Sequence, residues 1–336
     1  DDLKFTIISE QSQPPMTTQH SLATLSPPEN APPANDNEDV SNSFLQTLGG
    51  ENKDRGNSLG QDSNSNIFST GYTESTGLGN KDTYIAKHTP EGQLLWPQTF
   101  GTPSREASSS LLVLRNDDLI TTGYTDSSGN GDIFIVRFNN DGGLVWERVL
   151  TGWSNWDRPL IMRSLIESNN GDIHFFGKTK HSNGDGTYDL LIDTLDKHGE
   201  PIGLARRIGG PLHYLPNSVS PTNNNTAIVS IRKYEDGGNM VILECSLSST
   251  KLPLAVEITL GSSVDSPMNA IKIADDLIFI VGTTKNTLTT PGIYRSFIMN
   301  YNPLTGNSTC CKAFFIEGSI GNSAFNAAYS VIEDGE

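Results

Sequence analysis

Between Gly71 and Trp146 the chain states one pattern twice. Gly71-Tyr72-Thr73, a polar loop, Asp82-Thr83-Tyr84-Ile85 and Gly92-Gln93-Leu94-Leu95-Trp96 form the first copy. Gly123-Tyr124-Thr125, a second polar loop, Asp132-Ile133-Phe134-Ile135 and Gly142-Gly143-Leu144-Val145-Trp146 form the second. The spacing from Asp82 to Gly92 and Trp96 equals that from Asp132 to Gly142 and Trp146. A fixed period of about fifty residues rich in β-formers defines an array of small units rather than one irregular core.

Fainter copies keep the period. Gly177, Ser230 and Gly282 are read as successors of Gly71 and Gly123, and Asp189, Asn239 and Ser296 as successors of Asp82 and Asp132. A hydrophobic residue followed by Gly closes several units, at Leu48-Gly49, Phe100-Gly101, Ile208-Gly209 and Leu260-Gly261. Within the second unit four strands are expected at about Ser109–Arg115, Asp118–Thr122, Ile133–Asn139 and Gly143–Leu150. Asn116-Asp117 and Asn140-Asp141-Gly142 supply the tight turns, since Asn, Asp and Gly accept left-handed backbone. Alternation of Phe134, Val136 and Phe138 with Ile135 and Arg137 fits strands packed between sheets. No stretch has sustained helical periodicity. Four strands per unit, repeated radially, predict an all-β propeller with five complete blades and a sixth partly supplied by terminal strands.

The series Gly-Tyr-Thr-x-Ser, Gly-rich loop, Asp-x-aromatic, Gly-x-Leu-x-Trp and hydrophobic-Gly resembles the bacterial β-propeller repeats of the SBBP type, from about Phe44 onward. The resemblance implies secreted or surface proteins and carries over no catalytic residue. Gly203, Pro253 and Cys310 stand in the slot of Trp96 and Trp146, so the later units must pack differently there.

Residues 1–43 differ in kind. Pro14-Pro15, Pro27-Pro28 and Pro32-Pro33 in a polar stretch predict an extended arm outside the propeller, residues 44–336. Asp2-Leu3-Lys4-Phe5-Thr6-Ile7-Ile8-Ser9 resembles a segment of bacterial cadherin-like tandem domains, which would make the arm the end of a preceding domain. At the other end, Phe325–Ile332 reads as the first strand of a further unit, so that either the chain continues or the ring closes irregularly.

The formal charge of −16, with only 18% charged residues, argues against nucleic acid and anionic membranes as partners. No apolar run reaches the roughly 18 residues of a spanning helix. With three cysteines, either buried free thiols or a pairing of Cys245 with Cys310 or Cys311 is open, and buried thiols are the simpler reading.

The loops joining successive units carry Asp54, Arg55, Arg105, Glu106, Trp153, Trp156, Asp157, Arg158, His213, Tyr214 and Asp265. Their recurrence at matching places predicts one rim, where they either bind a partner or tie adjacent blades together. Asp126, Asp132, Asp185 and Asp189 lie in Asp/Gly loops whose composition suits calcium but lacks EF-hand spacing, so no cofactor is expected and turn chemistry is favoured. The six histidines are scattered and no nucleophile elbow or phosphate loop occurs. The expected function is a non-catalytic extracellular or cell-surface module that binds protein or glycan. The alternatives are a carbohydrate-active propeller enzyme and an assembly subunit joined through its arm.

Overall fold

The computed structural model describes residues 6–10, 21–24, 48–127, 131–150, 158–159, 164–180, 188–209, 214–222, 225–233, 240–247, 254–258, 265–274, 277–285, 294–302 and 311–314. All elements among them are strands. Two compact units divide the chain: Ser12–Pro159, and Asp1–Gln11 together with Leu160–Glu336.

The arm contributes β1 (Thr6–Glu10) and β2 (Ser21–Thr24). Ser12–Pro159 then holds two antiparallel meanders. The first is β3 (Asp54–Gln61), β4 (Ile67–Thr73), β5 (Asp82–His88) and β6 (Leu94–Gly101), with β2 added beside β6. The second is β7 (Glu106–Val113), β8 (Leu119–Thr125), β9 (Asp132–Phe138) and β10 (Leu144–Leu150). A two-residue strand, β11 (Arg158–Pro159), follows.

In the other unit, β12 (Leu165–Glu167), β13 (Ile173–Lys180), β14 (Tyr188–Leu195) and β15 (Ala205–Gly209) form a meander extended by β1. Two four-stranded sheets follow. They are β16 (Tyr214–Pro221), β17 (Thr226–Lys233), β18 (Met240–Ser246) and β19 (Leu254–Ile258), then β20 (Asp265–Ala274), β21 (Leu277–Lys285), β22 (Tyr294–Tyr301) and β23 (Cys311–Phe314). The expected terminal strands around Phe44–Leu48 and Phe325–Ile332 lie outside the described strands.

Sheets pack face to face within each unit. Phe68, Ile85 and Phe100 of the first meander meet Leu111, Leu119, Phe134, Val136, Phe138 and Val149 of the second. Phe100 is the hinge of this layer, 5.6 Å from Phe134 and edge-on to Phe138 at 6.1 Å. Complete burial of one such ring contributes about 1.5–3 kcal/mol. In the other unit, Ile166, Phe176, Leu190 and Ile208 pack with Val219, Val229 and Leu243, and a second layer joins Ile228 and Ile242 to Ile278 and Met299.

Register corrects three sequence expectations. β7 starts at Glu106, not Ser109, because Ser109 is an unpaired bulge residue inside the strand. The same bulge recurs in each fully described first strand, at Asn57, Asn217 and Met268. Aligned on these bulges, the fourth repeat places Ile231, not Ser230, in the slot of Gly71 and Gly123. In the fifth, Arg295, not Ser296, faces Thr284 as Asp82 faces Thr73. Counting ten residues back from Gly306 fails because Arg295 stands eleven before it, whereas Asp82 stands ten before Gly92.

The bulge explains the recurring Gly. A Cβ on Gly71 would lie 1.8 Å from the Arg55 carbonyl oxygen, and one on Gly123 2.0 Å from that of Ala107. The aromatic opposite each, Tyr84 or Phe134, closes over the bare backbone.

Two buried titratable groups of the third meander set an expected pH response. His174 is buried with Nδ1 3.0 Å from Thr194 Oγ1, and burial pushes its ring down to about 4, with the Asp172 charge opposing and Arg206 assisting. Its contribution to stability is complete above its ordinary pKa near 6.5 and is lost as pH falls toward about 4. Asp193 has the opposite sign. Burial pushes its carboxyl up to about 6 despite the Thr194 N–H, and its buried Oδ2 has no hydrogen-bond partner. Ionising it costs stability as pH rises from about 4 through about 6. Asp193→Asn is therefore expected to raise stability at pH 7 by up to roughly 2 kcal/mol and to uncover the His174 slope. Melting temperatures of both chains from pH 4.5 to 7.5 check this; an unchanged difference across the range would contradict it.

Candidate functional site

The register gathers four of the sequence-selected positions into one slot. Asp54, Glu106, Tyr214 and Asp265 each open the first strand of a sheet, opposite Thr73, Thr125, Lys233 and Thr284. Arg158 opens β11. Trp153, Trp156, Asp157, His213 and Asp185 lie outside the described residues.

Of the two acids whose side chains are described, Glu106 is buried and Asp54 half-buried. Glu106 is fully buried and accepts from Thr102 N at 2.8 Å, Thr102 Oγ1 at 2.8 Å and Thr125 Oγ1 at 2.6 Å. Asp54 repeats the arrangement, accepting from Gly50 N and Ser75 Oγ, both at 2.9 Å. Burial works to raise the Asp54 carboxyl, but bonds from Thr73, Gly50 and Ser75 outweigh it and hold it below the ordinary carboxylate range. In both sheets the acid clips the loop that enters its own strand.

Asp82 completes the buried polar layer between the first two meanders. It accepts from Gly79 N at 3.0 Å, and both its carboxylate and that of Glu106 close over Gly101, where a Cβ would have no room. Burial is the main force raising the Asp82 carboxyl, opposed by the Gly79 and Leu78 N–H groups and assisted by the Glu106 charge. Asp132 is likewise buried at the start of β9. Asp189 pairs with Arg207 Nη2 at 3.3 Å, both side chains buried. Asp126 is half-buried and donates its N–H to the Arg105 carbonyl at 2.9 Å. Among the described residues no three His, Cys, Asp or Glu side chains gather in a metal-binding group. Cys245 is a buried free thiol, pushed up to about 12 mainly by burial.

The arginines face the other way. Arg55 and Arg105 are exposed, and around them lies a small cationic cluster that sequence reading missed. Arg55 is the direct cross-strand partner of Tyr72, which puts their side chains on one face of the sheet. Lys81 holds its ammonium 3.9 Å from the centre of the Tyr72 ring. Lys81 and Arg105 pair across an isolated parallel bridge, anchored by Glu106 N donating to the Lys81 carbonyl at 2.8 Å. One acid, Glu74, answers the cluster, 3.4 Å from Lys81 Nζ. With Lys81 on the partly open ring, Arg55 across the strand from it and Arg105 bridged to Lys81, such a group can hold a carboxylate while the ring stacks on an apolar face. The available signal was Tyr72 after Gly71: alternation puts it on the face opposite Thr73, level with Arg55.

A second polar network ties the opposite ends of these strands. Lys87 is buried, donates to Asn140 Oδ1 and lies 3.1 Å from Asp62 Oδ2. Asn140 donates to the Asp117 carbonyl at 2.8 Å and accepts through its own carbonyl from Trp96 Nε1 at 3.2 Å. Asp117, in left-handed backbone, accepts from Ser63 N at 2.8 Å.

Repeated four-stranded antiparallel meanders with a bulged first strand define an all-β repeat protein. Residues 44–79 match the model of the SBBP family, described as a beta-propeller repeat, so the chain carries a repeat of that family there. A solved protein of unknown function from Dyadobacter fermentans DSM 18053 is similar, at 15% identity over 78% of this chain and 83% of that one, with a TM-score of 0.50. The polysaccharide lyase Uly1 is similar at 11% identity over 73% of this chain and 57% of that one, TM-score 0.45. A GH43 endo-arabinanase from Bacillus licheniformis is similar at 13% identity over 80% and 100%, TM-score 0.35. No curated protein matches the chain. At such identities the Dyadobacter likeness concerns the fold alone.

Proposed function

We propose that this chain is a non-catalytic extracellular or cell-surface binding module, built as a propeller of five complete four-stranded blades with a sixth partly supplied by terminal strands. It binds an acidic partner, a carboxylate-bearing glycan in the first place, on the rim where the blade-joining loops meet. The observation that carries this reading is the Arg55, Lys81 and Arg105 cluster around Tyr72. In a chain of formal charge −16, two exposed arginines flanking a lysine that sits on an aromatic ring are the feature least explained by folding alone. A non-catalytic role is supported by the way Asp54, Asp82 and Glu106 are spent: each is engaged by hydrogen bonds from its own loops. The low fraction of charged residues, with a surface of Ser, Thr, Asn and Gly, fits an extracellular setting.

The test is calorimetric titration with uronate-bearing and neutral oligosaccharides, with reducing-end release followed in the same samples. Binding of the uronate ligand, weakened about tenfold or more by Arg55→Ala with Arg105→Ala and weakened by salt, is the expected result. Release of products would replace the module with a carbohydrate-active enzyme. Equal binding by the double variant would remove the cluster from the site.

A further inference from the structure

The two strands of the arm dock in one and the same register on two different sheets. On β6, Ser21 pairs with Gly101, Leu22 with Phe100, Ala23 with Thr99 and Thr24 with Gln98. On β15, Thr6 pairs with Gly209, Ile7 with Ile208, Ile8 with Arg207 and Ser9 with Arg206. Gly101 and Gly209 are equivalent residues of the repeat, the Gly that closes the last strand of a unit. The donors also match in kind: Ser21-Leu22-Ala23-Thr24 and Thr6-Ile7-Ile8-Ser9 both place a hydroxyl residue opposite the Gly, two apolar residues next, then a hydroxyl residue. Two unrelated stretches meeting equivalent edges in equal register mean that the edge selects the strand. The edge does so through main-chain pairing in a frame fixed by the closing Gly.

We propose that the outer edges of β6 and β15 are strand-accepting sites, and that in assembly they are filled by the arm strands of a second copy of this chain. Main-chain pairing makes no distinction between an arm from the same copy and one from another, so exchange loses no contact. The composition around the donors favours exchange. Pro14-Pro15 separates the two strands, and Pro27-Pro28 with Pro32-Pro33 separates them from the first blade. Proline-rich segments favour extended conformations with a long reach, which suits donors that span to a second copy. The inference rests on edge pairing and not on the cationic cluster, so the binding reading can fail without it.

The test uses full-length chains in which Cys310→Ser and Cys311→Ser remove two native thiols. One chain carries Thr24→Cys and the other Gln98→Cys, and the two are co-expressed and oxidised. Direct antiparallel partners have Cα atoms about 4.5–5.5 Å apart, inside the range a disulfide spans. A covalent heterodimer is expected, at least about tenfold more abundant than with Ala23→Cys replacing Thr24→Cys, because a one-residue slip turns the side chain to the other face. A Thr24→Cys/Gln98→Cys double variant that closes entirely within one chain, with no cross-chain product from the mixed pair, would overturn the exchange. Failure of the double variant to close at all would overturn the docking register, and the proposal with it. Sedimentation of the unmodified chain gives the second readout: a dimer lost on Ile8→Pro with Leu22→Pro supports exchange, and a monomer at every concentration contradicts it.

Discussion

Asp62→Ala is expected to cost about 3–5 kcal/mol, the largest single loss among polar substitutions in residues 12–159. The carboxylate receives Asn66 N at 2.8 Å, Asn64 N at 3.0 Å and Asn66 Nδ2 at 2.9 Å, with the Lys87 ammonium at 3.1 Å. Burial works to raise its pKa, but these donors outweigh it and hold it at about 2. Removing the carboxylate leaves Lys87 buried with the Asn140 side chain and the Phe68 ring, 5.0 Å away, as its remaining support. Lys87→Met should cost less, since the backbone donors still hold Asp62 in its charged form. The double substitution should recover part of the sum, which is the signature of a coupled pair. Because the folded pKa lies below the ordinary carboxylate value, the stabilisation is complete above pH about 4 and is lost as pH falls through about 2. Denaturant titrations of the four chains at pH 7 and pH 2 measure both effects. A difference between wild type and Asp62→Ala as large at pH 2 as at pH 7 would show that the charge is not what stabilises.

Gly123→Ala is expected to be as damaging, about 3 kcal/mol or more, although it adds a single methyl group. That methyl would sit 2.0 Å from the Ala107 carbonyl oxygen and 2.7 Å from the Phe134 ring, and neither can retreat. The carbonyl belongs to a strand fixed by its bulge at Ser109, and the ring is fully buried. Gly171→Ala is the control. Its φ of 87° also disfavours a side chain, yet nothing lies within 4 Å, so only the conformational cost of about 1–2 kcal/mol is expected. Thermal unfolding of both variants separates the two causes. Equal losses would mean that backbone conformation, and not the close approach of β7, explains the recurring Gly.

These two sites also divide what was legible from what was not. The period, the four strands per unit and the Gly, aromatic and Asp slots follow from sequence, because each is local: hydrophobic alternation, turn residues and a close backbone approach act over a few positions. Repetition lets one clear copy explain a worn one. Slot assignment failed where the sequence spacing shifts by one, at Ser230 and Ser296, since only hydrogen-bonded pairing across strands shows that Ile231 and Arg295 hold those places.

The candidate site shows the same boundary from the other side. Sequence marked Asp54-Arg55 and Arg105-Glu106 as recurrent, but not that the acids clip their own loops while the arginines stay exposed. That outcome depends on Thr102 and Thr125 for Glu106 and on Gly50 and Ser75 for Asp54, donors that the entering loop and the neighbouring strand of the same sheet bring to each carboxylate. The Asp62, Lys87 and Asn140 network and the meeting of Lys81 with Tyr72 and Arg105 join residues from different strands or different repeats, and no spacing rule links them. The sequence by itself determined a repeated four-stranded β unit, because periodicity and turn chemistry are written along the chain. Which charges are buried as clips and which stay exposed was decided only by tertiary structure, because burial and partnership belong to the packed sheets.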